Sequence, residues 1–245
     1  MKLLNWKPWL AGADVHGDMQ DDAACRAFFK FQDIWKPKIR ICYGDIWDFR
    51  CLRARASDEE KRVSLAKDYI LGNEWLKRFK PTHTILGNHD KRLWDVAFGQ
   101  RGFASDSAAL KIIEIEALLK QLGSQDAIPY HKRNILRIGD LKIHHGIYCG
   151  VTAARRMAQT YGACIFGHIH ANQVASVEGL DYRAAVSAGC LCQLDQGYNA
   201  ITPSSLTHCH GFAYGIINEK TGEYRCWTAQ PVNGEWIIPS DMVKL

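Results

Sequence analysis

The chain of 245 residues has no C-x-x-C pair. Its nine cysteines, odd in number and scattered, exclude a secreted disulfide framework and a structural zinc ribbon, and they point to a reducing, cytoplasmic setting. No apolar run reaches the length of a membrane span, so no membrane is expected as a partner. The opening "MKLLNWKPWLAGA" imitates a secretory signal ending in small-x-small, but Lys7 and Pro8 interrupt it, and we read a first core strand instead. Repeats, low-complexity runs and linkers are absent as well, which gives one domain over residues 1–245. There is no charged tail: the net charge of +5 is a mild basic excess, compatible with an anionic substrate or nucleic acid and decisive for neither.

What is present begins with alternation. A strand near 9–13, a helix through "DDAACRAFFKFQDIW", a strand "KIRICY", a long helix after the cap-like "SDEEK" and a strand "THTIL" read as β-α-β-α-β, the order of an α/β fold. Residues 98–133 read as a partly helical insert, whose one clear element is "ALKIIEIEALLKQL", apolar at helical spacing through Ile112, Ile115, Leu119 and Leu122. Short strands at 134–138 and 141–145, a helix "TAARRMAQTYG" and a strand "ACIFG" follow. The last third is mostly β, in "NQVASVE", "DYRAAVSA", "GFAYGIINE" and "EYRCWTAQ", with "NEKTGE" as a hairpin turn.

Five of the apolar runs end in the same way, in Gly, Asp, Asn or His. "AGADVHGD" delivers Asp14 and His16; "ICYGDIWD" delivers Asp45 and Asp48; "ILGNHD" delivers Asn88, His89 and Asp90; "KIHHG" delivers His144 and His145; "CIFGHIH" delivers His168 and His170. Open sheets gather functional groups in this manner, at the carboxyl ends of their strands. From the chain's composition GNHD is expected about 0.002 times and G-H-x-H about 0.03 times, so the ordered set is not an accident of histidine content. Asp, His and Asn supply oxygen and nitrogen ligands suited to Mn, Fe, Zn, Ni or Co. Seven ligands are too many for one ion and suit two that share a bridging carboxylate, an arrangement that activates water and binds the oxygens of an in-line displacement. Phosphate ester hydrolysis needs it, because negative charge spreads over several oxygens in the transition state.

The ordered set D-x-H, G-D-x-x-D, G-N-H-D, H-G and G-H-x-H resembles the calcineurin-like metallophosphoesterase family, with all five motifs present from Asp14 to His170. The resemblance implies a two-sheet mixed β-sandwich flanked by helices, an α/β fold, with two divalent metal ions above the strand ends, manganese foremost. It implies Asp14, His16 and His170 on one ion, Asn88, His145 and His168 on the other, and Asp45 bridging. It also implies that His89 is the general acid at the leaving-group oxygen, oriented by Asp48; Asp90 is given no place at the metals and either caps the turn or supports the loop. His145, next to Gly146, is the ligand of the histidine pair, since strand alternation points His144 the other way.

Arg50 and Arg53 after "GDIWDF", with Arg55, and Lys91 and Arg92 after "GNHD" stand close to these positions, either reaching phosphate oxygens or forming a solvated basic face. We take Arg50, Arg53, Lys91 and Arg92 as substrate-binding. Trp47 is either a packed loop aromatic or a stacking surface for a base, and His208 and His210 are either ordinary loop histidines or part of a substrate wall. Protein Ser/Thr phosphatases resemble G-D-x-V-D-R-G and G-N-H-E, where this chain has "GDIWDFR" and "GNHD"; purple acid phosphatases have Tyr in place of Asp48, and lipid A precursor hydrolases Arg in place of His89. The leading reading is a phosphodiesterase acting on nucleic acid or nucleotide. A phosphomonoesterase is the alternative, and a non-catalytic scaffold of the same fold is the third. Nothing in the sequence calls for an obligate protein partner.

Overall fold

Trp6–Gly12 forms β1, with Trp9, Leu10 and Ala11 wholly buried, at the centre of the first sheet. It pairs parallel with β2 (Ile39–Tyr43), starting at Trp9–Ile39, and antiparallel with β9 (Phe212–Asn218). Pro8 is tolerated because it lies ahead of the β2 register. With β3 (His83–Ile85) and β10 (Tyr224–Ala229) the order is β10-β9-β1-β2-β3. The computed structural model describes residues 5–99, 101–125, 127–178, 183–197 and 202–236.

The second sheet, in the order β4-β5-β6-β8-β7, contains β4 (Leu136–Ile138), β5 (Leu141–His144), β6 (Cys164–Phe166), β7 (Asn172–Val177) and β8 (Arg183–Ala188). β5, β6 and β8 run parallel, while β4 and β7 pair antiparallel at the edges. The two sheets face each other across Trp9, Ile41, Tyr43, Ile143, Ile165 and Ile217. The expected mixed α/β sandwich flanked by helices is the observed architecture. Asp181 and Tyr182, read into the strand that is now β8, lie outside the described residues, and a small ribbon of β11 (Pro231–Val232) and β12 (Glu235–Trp236) was not foreseen.

The longer helices cover the outer faces through their apolar stripes. α1 (Asp22–Trp35) starts on Asp21, whose carboxylate accepts the Ala24 N–H at 2.8 Å, and ends with Lys36 in the left-handed conformation before Pro37. It sets Phe28 and Phe31 against Leu10, Phe79 and Phe212. The long helix expected after Ser57 is two helices, α2 (Asp58–Lys61) and α3 (Leu65–Phe79). Ser57 and Glu60 close a capping box on α2, and Ser64 supplies a second N-cap by accepting the Lys67 N–H, so the chain restarts there.

Within 98–133, α5 (Phe103–Gln121) begins six positions before the apolar stripe does and buries Ile112, Ile115 and Leu119 in the α1–α3 core. α4 (Lys91–Ala97), directly after GNHD, gave no periodic signal and packs on α5. α6 (Ala153–Tyr161) covers the second sheet through Ala153, Ala154, Met157 and Ala158. Among the described residues no helix is long and apolar enough to cross a membrane.

Candidate metal centre

The turns after β1, β2 and β3 of one sheet and after β5 and β6 of the other meet above the strand ends. There the backbone adopts a conformation that L-residues avoid: φ is 54° at Asp14, 55° at His16, 50° at Asp45, 76° at His168 and 53° at His170. Each costs about 1–2 kcal/mol, so the surrounding structure must impose it. The first two turns are bonded side by side, Asp14 N–H to Gly44 O at 2.9 Å, and Val15 and His16 N–H to Asp45 O at 2.8 and 3.0 Å. Asp90 props both neighbouring turns: its carboxylate accepts the N–H groups of Ile46, Trp47 and Gly87 at 2.9, 3.0 and 2.7 Å. That is the loop-supporting role read for it.

Two glycines make the approach possible. Gly44 has φ +111°, and a Cβ there would lie 2.3 Å from His145 Nδ1; at Gly87 one would lie 2.0 Å from Asp45 Oδ1.

The structure brings all seven expected ligands together. Asp14, His16, Asp45, His145 and His170 are buried, and Asn88 and His168 are partly so. One Asp45 oxygen, Oδ2, stands 3.0 Å from His145 Nε2 and 3.8 Å from His16 Nε2. On one side His16 Nε2 is 3.2 Å from His170 Nε2, which is 3.4 Å from Asp14 Oδ1. On the other, His145 Nε2 is 3.0 Å from Asn88 Oδ1, and Asp45, His145 and His168 converge as a group. Ligand atoms about 2.1 Å from a shared ion stand about 3.0–3.4 Å apart, which most of these separations match.

The hydrogen bonds behind these atoms support the fit. His145 Nδ1 donates to Tyr43 O at 3.0 Å, which leaves Nε2 facing a carboxylate oxygen and an amide oxygen. Three electron-rich atoms at that distance require a cation among them, a proton or a metal ion. Burial alone lowers the His145 pKa, but the Asp45 charge carries it up to about 9. Burial likewise pushes the Asp45 and Asp14 carboxyls up and is outweighed by their histidine neighbours, so both lie below the usual carboxylate range.

Asp48 links the two roles assigned to this site. Its Oδ1 is 3.2 Å from His16 Nδ1 and 2.5 Å from His89 Nδ1, so one oxygen orients a candidate ligand and the candidate acid together. Burial opposes its ionisation, yet the hydrogen bonds from His16 and His89 hold it well below the ordinary value. The loop bearing Asp48 is held by Asp68 of α3, which accepts the N–H groups of Asp48 and Phe49 at 3.1 and 2.6 Å. Sequence reading missed Asp68, a lone carboxylate in an amphipathic helix with no motif around it.

The four cations expected at the substrate divide. Arg50 is committed to Asp18 at 2.6 and 2.7 Å and to Asp48 at 3.1 Å; Arg53 pairs with Glu60 at 2.6 Å; Lys91 pairs with Asp95. Arg92 donates to Asp48 O at 2.7 Å, lies 3.4 Å from Asp48 Oδ1 and stands 3.2 Å from His89 Nε2, the ring nitrogen turned away from Asp48. Trp47 is wholly buried and stacked on Phe49 and Tyr69, a packed loop aromatic. His144 turns away as alternation predicts, bonded to His131 O at 3.2 Å and accepting the Gly146 N–H at 2.8 Å.

Two cysteines border the centre without having been foreseen: Cys192 Sγ lies 3.8 Å from His170 Nδ1, and Cys149 Sγ 3.1 Å from His168 Nε2. His208 packs its ring on His170 with centroids 5.2 Å apart, whereas His210 bonds Cys192 O at 3.0 Å.

No protein-family model matches the chain, and no curated protein matches it by sequence. Among solved structures, vacuolar protein sorting 29 from Cryptosporidium parvum is similar with a TM-score of 0.50 at 13% identity, over 95% of both chains. A metallophosphoesterase from Sphaerobacter thermophilus gives a TM-score of 0.44 at 17% identity, over 91% of this chain and 88% of that one. A phosphoesterase from E. coli gives 0.41 at 12% identity, over 90% and 98%. The first of these likenesses, over nearly the whole of both chains, shows a shared fold: two mixed five-stranded sheets flanked by helices, the architecture expected above from the resemblance to the calcineurin-like metallophosphoesterases.

Proposed function

We propose that the chain is a dinuclear metal-dependent phosphoester hydrolase that acts on a phosphodiester. The observation that carries this reading is Asp45 Oδ2, set between His145 Nε2 at 3.0 Å and His16 Nε2 at 3.8 Å as a carboxylate shared by two nitrogen clusters. Asp14, His16 and His170 would hold one ion, Asn88, His145 and His168 the other, with Asp45 common to both. Two divalent ions, manganese foremost, supply positive charge to phosphoryl oxygens and acidify a water when bound there.

The chain's own residues do the rest. His89 is fixed by Asp48 through Nδ1, so Nε2 is the atom that gives a proton to the leaving oxygen. Burial lowers the His89 pKa, and the Arg92 guanidinium beside Nε2 works in the same direction. An arriving phosphate anion opposes both effects, attracting Arg92 and favouring the imidazolium. Because Arg50, Arg53 and Lys91 are already held by carboxylates, a nucleotide-sized or smaller diester suits the site better than a polynucleotide.

The test is hydrolysis of bis(p-nitrophenyl) phosphate beside p-nitrophenyl phosphate by protein reconstituted in Mn²⁺, with Asp45→Asn as control. Diester preference, lost in the variant, is expected. Preference for the monoester would replace the diester reading with a phosphomonoesterase, and metal-loaded protein inert towards both would leave the scaffold reading.

A further inference from the structure

A cavity of about 180 Å³ adjoins the metal centre, with His168 as their common wall. The turn after β5 contributes Cys149 and Val151, the segment after β6 contributes Ile169 and Ala171, and the 3₁₀ turn at Pro203–Thr207 leads into His208 on the far side. Val151, 81% exposed, forms its lip.

Its chemistry is narrow. None of the lining residues is Lys, Arg, Asp or Glu, so nothing there neutralises a phosphate or a carboxylate. The polar groups are largely spent on the chain itself: Gln173 accepts the Ala154 N–H and donates to Gly150 O, both at 3.1 Å, and the Thr207 hydroxyl donates to Ser204 O at 2.7 Å. His208 bonds the Leu194 carbonyl, and since its Nδ1 has no partner, the bonded atom is Nε2. The cavity's volume is close to the roughly 150 Å³ of a cavity that holds benzene, so it suits a group of about that size better than a whole nucleoside.

Its position decides which part of a substrate enters. Ring contacts link His89 to His16, His16 to His170 and His170 to His208, with centroid separations of 4.4, 5.0 and 5.2 Å. The cavity wall at His208 is thus three ring contacts removed from His89, which does not line the cavity. When water attacks, its oxygen bonds to phosphorus as the bond to the leaving oxygen breaks; the leaving oxygen takes the electron pair and the His89 proton, and the proton that the water gives up passes to solvent, from which His89 is reprotonated. The second ester oxygen keeps its bond, and its group stays on the product.

Resting on the hydrolase reading above, we propose that this cavity binds the retained group of a small phosphodiester, an uncharged aryl or alkyl group about the size of a single aromatic ring. A monoester has no such group, so the cavity also gives the diester preference a structural cause.

The experiment compares phenyl, methyl and thymidine 5′ esters of p-nitrophenyl phosphate, which share one leaving group, on the Mn²⁺-loaded parent and on Val151→Trp, which obstructs the lip. For the parent, kcat/KM for the phenyl ester is expected to exceed both others by about tenfold or more, the usual discrimination of an apolar pocket. Val151→Trp reduces the phenyl-to-methyl ratio by a similar factor. Hydrolysis of all three with an unchanged ratio, or a preference for the thymidine ester, overturns the cavity assignment while leaving the hydrolase reading intact. A second measurement is independent of turnover: diphenyl phosphate should shift the amide resonances of Val151 and Ala171 where dimethyl phosphate does not. Equal or absent shifts overturn the assignment even if the protein hydrolyses nothing.

Discussion

Asp48 bonds both the candidate acid and a candidate ligand, and this separates it from His89 in a measurable way. Removing the His89 ring takes away the proton donor and leaves the seven candidate ligands in place. His89→Ala should lose about 10²–10⁴-fold in rate on an alkyl diester and little on a p-nitrophenyl ester, whose leaving group scarcely needs a proton. Its metal affinity should be close to the parent's. Asp48→Asn replaces an oxygen that accepts from both His16 Nδ1 and His89 Nδ1 with a neutral amide. Partners behind a metal-ligating histidine typically contribute about 10–100-fold in metal affinity, so this variant should lose affinity as well as rate. Metal titration of both variants beside leaving-group series checks the pair. A His89→Ala protein as fast as the parent on the alkyl ester would remove the general-acid role, and an Asp48→Asn protein with parental metal affinity would remove its claim on His16.

At the scale of elements, the turns matter more than the strands. Gly44 joins the end of β2 to Asp45 with φ +111°, where a Cβ would meet His145 Nδ1 at 2.3 Å and Gly87 N at 2.8 Å. Gly44→Ala should therefore destabilise the fold by more than about 1 kcal/mol and weaken metal binding in the same variant. Denaturant unfolding and a metal titration read the two effects, and a variant with parental values for both would show that the turn relaxes freely. The strands themselves were legible because an apolar run ending in Gly, Asp, Asn or His has few meanings, and the motif residues of five such runs do meet. What was not legible had local causes. α4 is a single short helix of mixed composition, and the break between α2 and α3 depends on Ser64 acting as a cap in a segment that also reads as continuous helix. The fate of Arg50, Arg53 and Lys91 depended on carboxylates whose proximity no periodicity encodes: Asp18 lies 32 positions away from Arg50 and is brought to it by the fold. Asp68, Cys149 and Cys192 were hidden for the same reason.

For the whole molecule, the centre works against stability until a cation occupies it. Asp14, His16, Asp45, His168 and His170 all adopt left-handed backbone, and two buried carboxylates repel one another through Asp14 and Asp45. The apolar sandwich and the helices on it must offset those costs, and an ion that binds the folded state alone gives part of them back. At free Mn²⁺ a hundredfold above Kd, each site contributes about 2.7 kcal/mol. For a chain of this length that corresponds to a rise of about 5–10 °C in Tm per site. Thermal unfolding in Mn²⁺ and in excess chelator should show that separation in the parent, and Asp45→Asn, which alters the carboxylate common to both groups of ligands, should lose most of it. An equal rise in the variant would place the ions elsewhere on the protein, whereas a rise confined to the parent links metal, strained turns and fold in a single equilibrium.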